Sequence, residues 1–455
     1  MSVNLMKINE LEKYITSRIQ LHSLEIVQAG EVIYENYYLP YKKNDLHRMF
    51  SISKSVVSLA IGTLIDDGKI ALNDPVIKYF DDKLSDYEKL SERGKDWIAR
   101  TTIKDVLMMR SCHSKNTYKF DPAVKDYTKT YFSVEPDKVP GRMFHYDTAG
   151  YHVLAALVEK LTATTVWDYL CDRFSVMELS EDGYFVTDPV GVSMGGSGLT
   201  ARTSDLVKIG KLMLGMGEYE GVRLISKEYM QFVSTIVSST EMSLGRMGEK
   251  YGYGAGFWGL NHPGYAAYGM GGQFIFVYPD EELIIVTTAD TQGFDGGNQV
   301  IYDAIDRYIF EDECKAAVLK DTYDYPVELA EKYFDKTYVN EMAGSVSGDA
   351  SKPTFESITF HKDYLSYMYG GKSYEIKYST EGYAYGTFPI YEKKYASHAR
   401  ALFDNTFAIE IAIIDDAVGN IKMHCAFDDE GVTVFMKKVE ETMFSEFSTC
   451  ISFEL

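Results

Sequence analysis

A serine and a lysine stand three residues apart in "FSISKSVVSLAIGTLIDDGK", residues 50–69. On a helix, Ser51 and Lys54 share one face. A serine hydroxyl is a poor nucleophile until a base takes its proton. A lysine amine, with an ordinary pKa of about 10.4, is mostly protonated at neutral pH. Burial and neighbouring groups can lower that value by several units and free the amine to act as a base. Ser51 also stands where the helix begins, and the free N–H groups of a helix start face developing negative charge. The pair therefore points to acyl transfer through a serine ester. The bland alternative is a capping serine beside a solvated lysine. On four residues alone that alternative is the commoner case, because serine–x–x–lysine arises by chance in long chains.

The elements that must position this pair follow from periodicity. Ser55 and Ser58 extend the polar stripe of the 50–69 helix, Ile52, Val56 and Leu59 line another face, and Gly68 stops it. The segment "LEIVQAGEVIYENYY" (24–38) predicts a hairpin about Ala29-Gly30. Helical spacing predicts helices over "GYHVLAALVEKLT" (150–162) and "RTSDLVKIGKLMLG" (202–215). The N-terminus places Leu5, Ile8, Leu11, Ile15 and Ile19 on one face of a further helix. From 251 the period changes to two. "YGYGAGFWGL", "YAAYGMGGQFIFVYP" and "LIIVTTAD" predict three antiparallel strands, and "NQVIYDAIDRYIF" (298–310) a closing helix. Strands at both ends with helices between predict an α/β domain over 1–320. It would be an antiparallel sheet flanked by helices, with a helical lobe of about 51–240 inserted. The tyrosine-rich, alternating stretch 364–395 predicts that 325–455 is a separate, mostly β domain.

The bulk numbers exclude several classes. A net charge of −21 over 455 residues argues against nucleic acid and anionic membrane surfaces as partners. The N-terminus lacks the basic-then-apolar pattern of a signal peptide, and no apolar run reaches membrane-spanning length. The five cysteines, Cys112, Cys171, Cys314, Cys425 and Cys450, form no C-x-x-C pair and read as reduced thiols in a cytoplasmic protein. The nine histidines form no H-E-x-x-H or H-x-H cluster, so neither a metal nor another cofactor is expected. The expected partner is a small-molecule or peptide substrate.

"HRMFSISKSVVS" resembles the nucleophile segment of the serine β-lactamase and penicillin-binding protein superfamily, nearest the branch of class C β-lactamases, DD-peptidases and related esterases. The resemblance continues through "TTIKDVLMMRS", "PGRMFHYDTAGYHVLAALVEKLT", "GGSGLTARTSDLVKIGKLMLGMGEYEGVRLIS" and "YAAYGMGGQFIFVYPDEELIIVTT". These segments keep the family's order over roughly 24–310. The likeness implies that Ser51 is the nucleophile and that Lys54 is its proton acceptor or the residue that depresses a neighbour's pKa. Tyr146 matches the family tyrosine, which returns a proton to the leaving group or shares the base role with Lys54. Beside a lysine ammonium that tyrosine would ionise more easily. The N–H groups of Ser51 and Gln273 would form the oxyanion hole.

Two departures bear on the substrate. Thr148 stands where the family has asparagine, and Met270, Gly271 and Gly272 where it has Lys-Thr-Gly on a strand edging the site. Methionine cannot hold a substrate carboxylate, so the expected activity on penicillins is weak or absent. The two glycines would let a substrate backbone approach. The expected activity is hydrolysis of an ester or amide through an acyl-enzyme. The alternative is a non-catalytic binding protein on the same fold. Elsewhere, "GVSMG" (191–195) fits the G-x-S-x-G elbow, but no helix pattern follows directly, so Ser193 is expected in a loop. His145 is expected to be structural and Asp147 a solvated or capping residue.

Overall fold

The computed structural model describes residues 3–114, 117, 125–242, 247–291, 294–310, 329–340, 355–389, 392–414, 418–440 and 447–455. Cys314 lies outside them. The chain divides into two compact units. The first comprises Met1–Ser111, Lys115–Glu135 and His145–Val318; the second comprises Cys112–Ser114, Pro136–Phe144 and Leu319–Leu455.

In the first unit, helix α1 (Leu5–Thr16) leads into the hairpin β1 (Gln20–Gln28) and β2 (Glu31–Tyr37). A two-residue strand β3 (His47–Arg48) then delivers the chain to α2 (Ile52–Asp66). Helices dominate up to α3 (Thr148–Thr162) and beyond. The short strands β4 (Tyr184–Phe185) and β5 (Leu199–Ala201) join β3 in a small sheet, and α4 (Thr203–Leu214) follows. The chain ends the unit as β6 (Trp258–Gly259), β7 (Tyr265–Gly269), β8 (Gln273–Tyr278), β9 (Leu283–Asp290) and α5 (Gln299–Ile305).

The main sheet is antiparallel and six-stranded, in the order β2-β1-β9-β8-β7-β6. Strands from early and late in the first unit thus lie side by side, with Leu24 opposite Thr287 and Ile26 opposite Ile285. One face buries Leu24, Ile26, Phe274, Phe276 and Ile285 against Ile8, Leu11 and Ile15 of α1 and Ile301 and Ile305 of α5. Helix α4 packs against β8 and β9. In β8 and β9 both faces are covered, so successive side chains are buried on both sides. Each fully buried Leu, Ile or Phe adds roughly 1.5–3 kcal/mol of transfer free energy.

One expected strand is broken. "YAAYGMGGQFIFVYP" forms β7 and β8 with a turn at Met270–Gly272 between them. Gly271 (φ +89°) and Gly272 (φ +94°) adopt left-handed backbone angles that end the strand. Helix α2 is buried on every side from Ile52 to Leu64, so its serines do not form a solvated stripe. They hydrogen-bond to backbone carbonyls instead: Ser55 Oγ to Gly256 O at 2.6 Å and Ser58 Oγ to Ala255 O at 2.8 Å. A helix can sit in a core on such terms only if each hydroxyl finds a partner.

The second unit is a ten-stranded antiparallel sheet that curls toward a barrel. Its long strands Lys393–Phe403, Thr406–Ile414, Val418–Phe427 and Gly431–Glu440 pair in succession, and Phe447–Glu454 joins them to Thr337–Val339. Its core includes Tyr338, Phe360, Ile409, Cys425, Phe427 and Val432. The two early segments are tied into it. Asp137 N and Lys138 N donate to Cys112 O at 3.2 Å, Val139 N donates to Ser452 Oγ at 3.2 Å, and buried Arg142 pairs with Asp428. Among the described residues, no helix is long and apolar enough to cross a membrane.

Candidate active site

The site is built where β3 turns into α2. Phe50 takes a left-handed backbone (φ +47°), and Ser51 then sits at the N-cap of α2. Leu199 of β5 clamps this bend from both sides. Its carbonyl accepts from Met49 N at 2.8 Å, and its N–H donates to Ser53 Oγ at 2.9 Å. Lys54 Nζ lies 3.0 Å from Ser51 Oγ and donates to Gly196 O at 2.5 Å. The lysine is 1% exposed. Burial pulls its pKa from 10.5 to about 7, with Asp147 opposing the shift. The direction follows from desolvation, which disfavours the charged amine. The shift favours the uncharged amine near neutral pH, with Nζ 3.0 Å from Ser51 Oγ.

Tyr146 stands just ahead of helix α3. Asp147 caps this helix, its carboxylate accepting from Ala149 N at 2.9 Å and Gly150 N at 3.2 Å. It is 2% exposed, a buried cap and not a solvated one. The residue before it, Tyr146, shares a hydrogen bond with Ser51. Lys54 Nζ stands 4.7 Å from the centre of the Tyr146 ring. Tyr253 meets the ring edge-on at 6.4 Å, and Trp258 lies at 5.6 Å. The expected easing of Tyr146 ionisation does not occur. Enclosure of its hydroxyl pushes the pKa up, and the Ser51 bond only partly offsets this. The shift favours the phenol form of Tyr146.

The other candidates are placed differently. Thr148 opens α3 and packs on the Gly196 backbone: a Cβ added to Gly196 would lie 2.5 Å from Thr148 Cγ2 and 2.5 Å from Thr148 O. Thr148 thus supports the loop whose carbonyl holds Lys54. Met270 is 48% exposed on the β7–β8 turn, with Gly271 and Gly272 beside it. Gln273 is buried at the start of β8, opposite Gly269. Its side-chain amide donates to Met270 O at 3.0 Å and Ala289 O at 2.9 Å, and accepts from Ala289 N at 3.0 Å. The side chain of Gln273, whose backbone N–H is the expected oxyanion donor, thus braces the turn from behind. Ser193 lies in a loop, its N–H directed at Glu159, with no helix following.

Two features escaped sequence reasoning. The Gly196 carbonyl is a backbone acceptor and carries no side-chain signature. Glu249 sits in a half-buried 3₁₀ turn, Met247–Glu249. Its carboxylate accepts a hydrogen bond from Tyr268 and also raises the pKa of Tyr146. Tyr268 meets Trp258 edge-on at 5.9 Å, so one aromatic patch joins Glu249 to Tyr146.

This sequence matches the family described as Beta-lactamase over residues 17–308, well over half of the chain. The chain belongs to the β-lactamase family. Among curated relatives, the 6-aminohexanoate-dimer hydrolase of Paenarthrobacter ureafaciens is 25% identical over 228 residues. That match covers 46% of this chain and 55% of the hydrolase, so the chain spans about half the length of this relative. The octameric penicillin-binding protein homologue of Pyrococcus abyssi superposes over 98% of this chain and 99% of its own, with a TM-score of 0.53 and 17% identity. A family VIII carboxylesterase covers 68% of this β-lactamase-family chain and 99% of its own, with a TM-score of 0.51 and 14% identity. At such identities the two structures speak for the fold. Family and relatives' names together support a hydrolase-type function.

Proposed function

We propose that this chain is a serine hydrolase that cleaves an ester or amide of a small molecule or peptide through an acyl-enzyme on Ser51. The observation that carries this reading is the buried Lys54 amine, 3.0 Å from Ser51 Oγ and with its pKa drawn down to about 7. The neutral amine takes the Ser51 proton as Oγ bonds to the substrate carbonyl carbon. The Ser51 N–H, at the head of α2, is one donor to the resulting oxyanion. The leaving group departs with the Tyr146 proton, and the Tyr146 oxygen recovers the proton held on Lys54. Lys54 is neutral again and draws a proton from water as that water attacks the acyl-enzyme. Ser51 leaves the acyl carbon and regains its proton from Lys54.

The Met270–Gly272 turn presents no cation, which supports a substrate not held by a carboxylate and weak or absent action on penicillins. The four described cysteines are free thiols, in keeping with a reducing, cytoplasmic setting.

A fluorophosphonate probe followed by intact-protein mass tests the reading. A single adduct on the wild-type protein, missing from Ser51→Ala, is the expected result. No adduct across pH 5 to 10 would instead favour a non-catalytic binding protein on this fold, the reading that Thr148 and Met270 motivate.

A further inference from the structure

A second serine, within the second unit, has a base of its own. Ser366 lies on the strand Tyr364–Tyr369, where it alternates with buried Leu365 and Tyr367 and so faces away from the core. Its Oγ stands 3.4 Å from His361 Nε2, and His361 Nδ1 stands 2.6 Å from Asp335 Oδ1. An ionised carboxylate only accepts, so the ring places its Nδ1–H toward Asp335 and leaves Nε2 to accept the Ser366 proton. His361 sits in the turn between Ser357–Phe360 and Tyr364–Tyr369 and is clamped there. Its N–H donates to Tyr364 O at 2.9 Å, its carbonyl accepts from the Tyr378 hydroxyl, and its ring stacks on Tyr364 at 4.0 Å. Asp335 is placed by its own N–H, which donates to Phe360 O at 2.8 Å. Ser366 and the His361 side chain are both partly open to solvent. Serine, imidazole and carboxylate linked in this order are a nucleophile, its base and the group that orients the base.

The surroundings set the chemistry. Thr359 and Glu375 stand opposite Ser366 on the two neighbouring strands, and Lys377 stands opposite Tyr364. Lys362 pairs with Glu331 at 3.3 Å. A carboxylate opposite the serine favours the imidazolium formed on proton transfer and disfavours an anionic substrate. The Ser366 strand pairs on both sides, so its N–H groups serve the ladders and not an oxyanion. Asp335, its side chain 71% exposed, is screened by water. Both features confine the site to esters whose leaving group departs readily. A fluorophosphonate, whose phosphoryl oxygen also needs oxyanion donors, therefore reads Ser51 and not Ser366.

We infer that Ser366, His361 and Asp335 form a second hydrolytic centre, independent of Ser51, that cleaves uncharged aryl esters. Ser366 Oγ bonds to the ester carbonyl carbon as His361 Nε2 takes its proton. The bond from that carbon to the aryl oxygen breaks, and the phenol leaves with the proton from Nε2. Water then gives a proton to Nε2 and its oxygen to the acyl carbon. The carboxylic acid departs, and Ser366 regains its proton from His361.

The test follows p-nitrophenyl acetate hydrolysis by the full chain carrying Ser51→Ala, so that Ser51 contributes nothing. Turnover above the buffer rate is expected. Adding Ser366→Ala or His361→Gln should lower the protein-dependent rate by about tenfold or more. Asp335→Asn should lower it less, because its carboxylate is screened. His398→Gln, at another partly exposed histidine of the same unit, should leave it unchanged. With p-nitrophenyl trimethylacetate, whose bulky acyl group is slow to leave, peptide mapping should find that group on Ser366, and not when His361→Gln is added. A rate that survives Ser366→Ala or His361→Gln, or that falls equally with His398→Gln, overturns the second centre. So does an acyl group found only on other side chains. The substituted side chains are partly exposed, so the variants should keep the parent's thermal midpoint. If His361→Gln lowers it, Ser366→Ala and the peptide map decide. Failure here leaves the fluorophosphonate test of Ser51 untouched, and failure there leaves this one.

Discussion

Lys54 sets the pH behaviour of the proposed reaction. Its working form is the neutral amine, and its pKa is drawn down to about 7. The rate should therefore rise with pH through about 7 and level off above it, since each lost proton creates a competent base. A kcat/KM profile on a neutral ester, whose own charge does not change, checks this; an acid limb near 10 would show an ordinary lysine. Lys54→Ala should lower kcat far more than it raises KM. The Ser51–Lys54 spacing was legible because helix geometry fixes which residues i and i+3 meet. Tyr146 was singled out only by its place before α3. The state of that tyrosine was not legible, because enclosure depends on Tyr253 and Trp258, more than a hundred residues downstream in the sequence. Gly196 was invisible for a similar reason: what matters there is its carbonyl and the space against Thr148.

At the scale of elements, the β7–β8 turn is where periodicity misled. Alternation over "YAAYGMGGQFIFVYP" fits one long strand, and only the adjacent glycines hint at a reversal. The turn depends on both. A Cβ at Gly272 would meet Thr291 Cγ2 at 2.9 Å and Ala289 Cβ and Ile301 Cδ1 at 3.0 Å, on a backbone with φ +94°. Gly272→Ala should cost roughly 1–3 kcal/mol of stability, read as a lower denaturant midpoint with an unchanged slope. The bracing role of the Gln273 side chain was not legible, since its amide satisfies three backbone groups that only the folded turn brings together. By contrast, the N-terminal hairpin and α3 were readable, because their apolar spacing matches the faces they bury.

For the molecule as a whole, the sequence separates texture into consecutive blocks, while space does not. The segments 112–114 and 136–144 read as part of the helical region and belong to the second unit. Arg142, its side chain 1% exposed, draws its charge partner from Asp428, far along the chain. Asp428→Ala leaves that guanidinium buried without its carboxylate. The expected cost is about 1.5–3 kcal/mol, seen as an earlier thermal transition of the second unit. A midpoint unchanged within error would show that Arg142 is satisfied without it.

This path of the backbone bears on heredity and on engineering. The chain visits the second unit twice before residue 319, and one visit ends at Phe144, two positions ahead of Tyr146. Splicing at a single junction near 318 would strand both early stretches without the sheet they fold with. A graft of this module onto a cousin must carry three pieces of gene, so lineages bearing it should keep or lose them together.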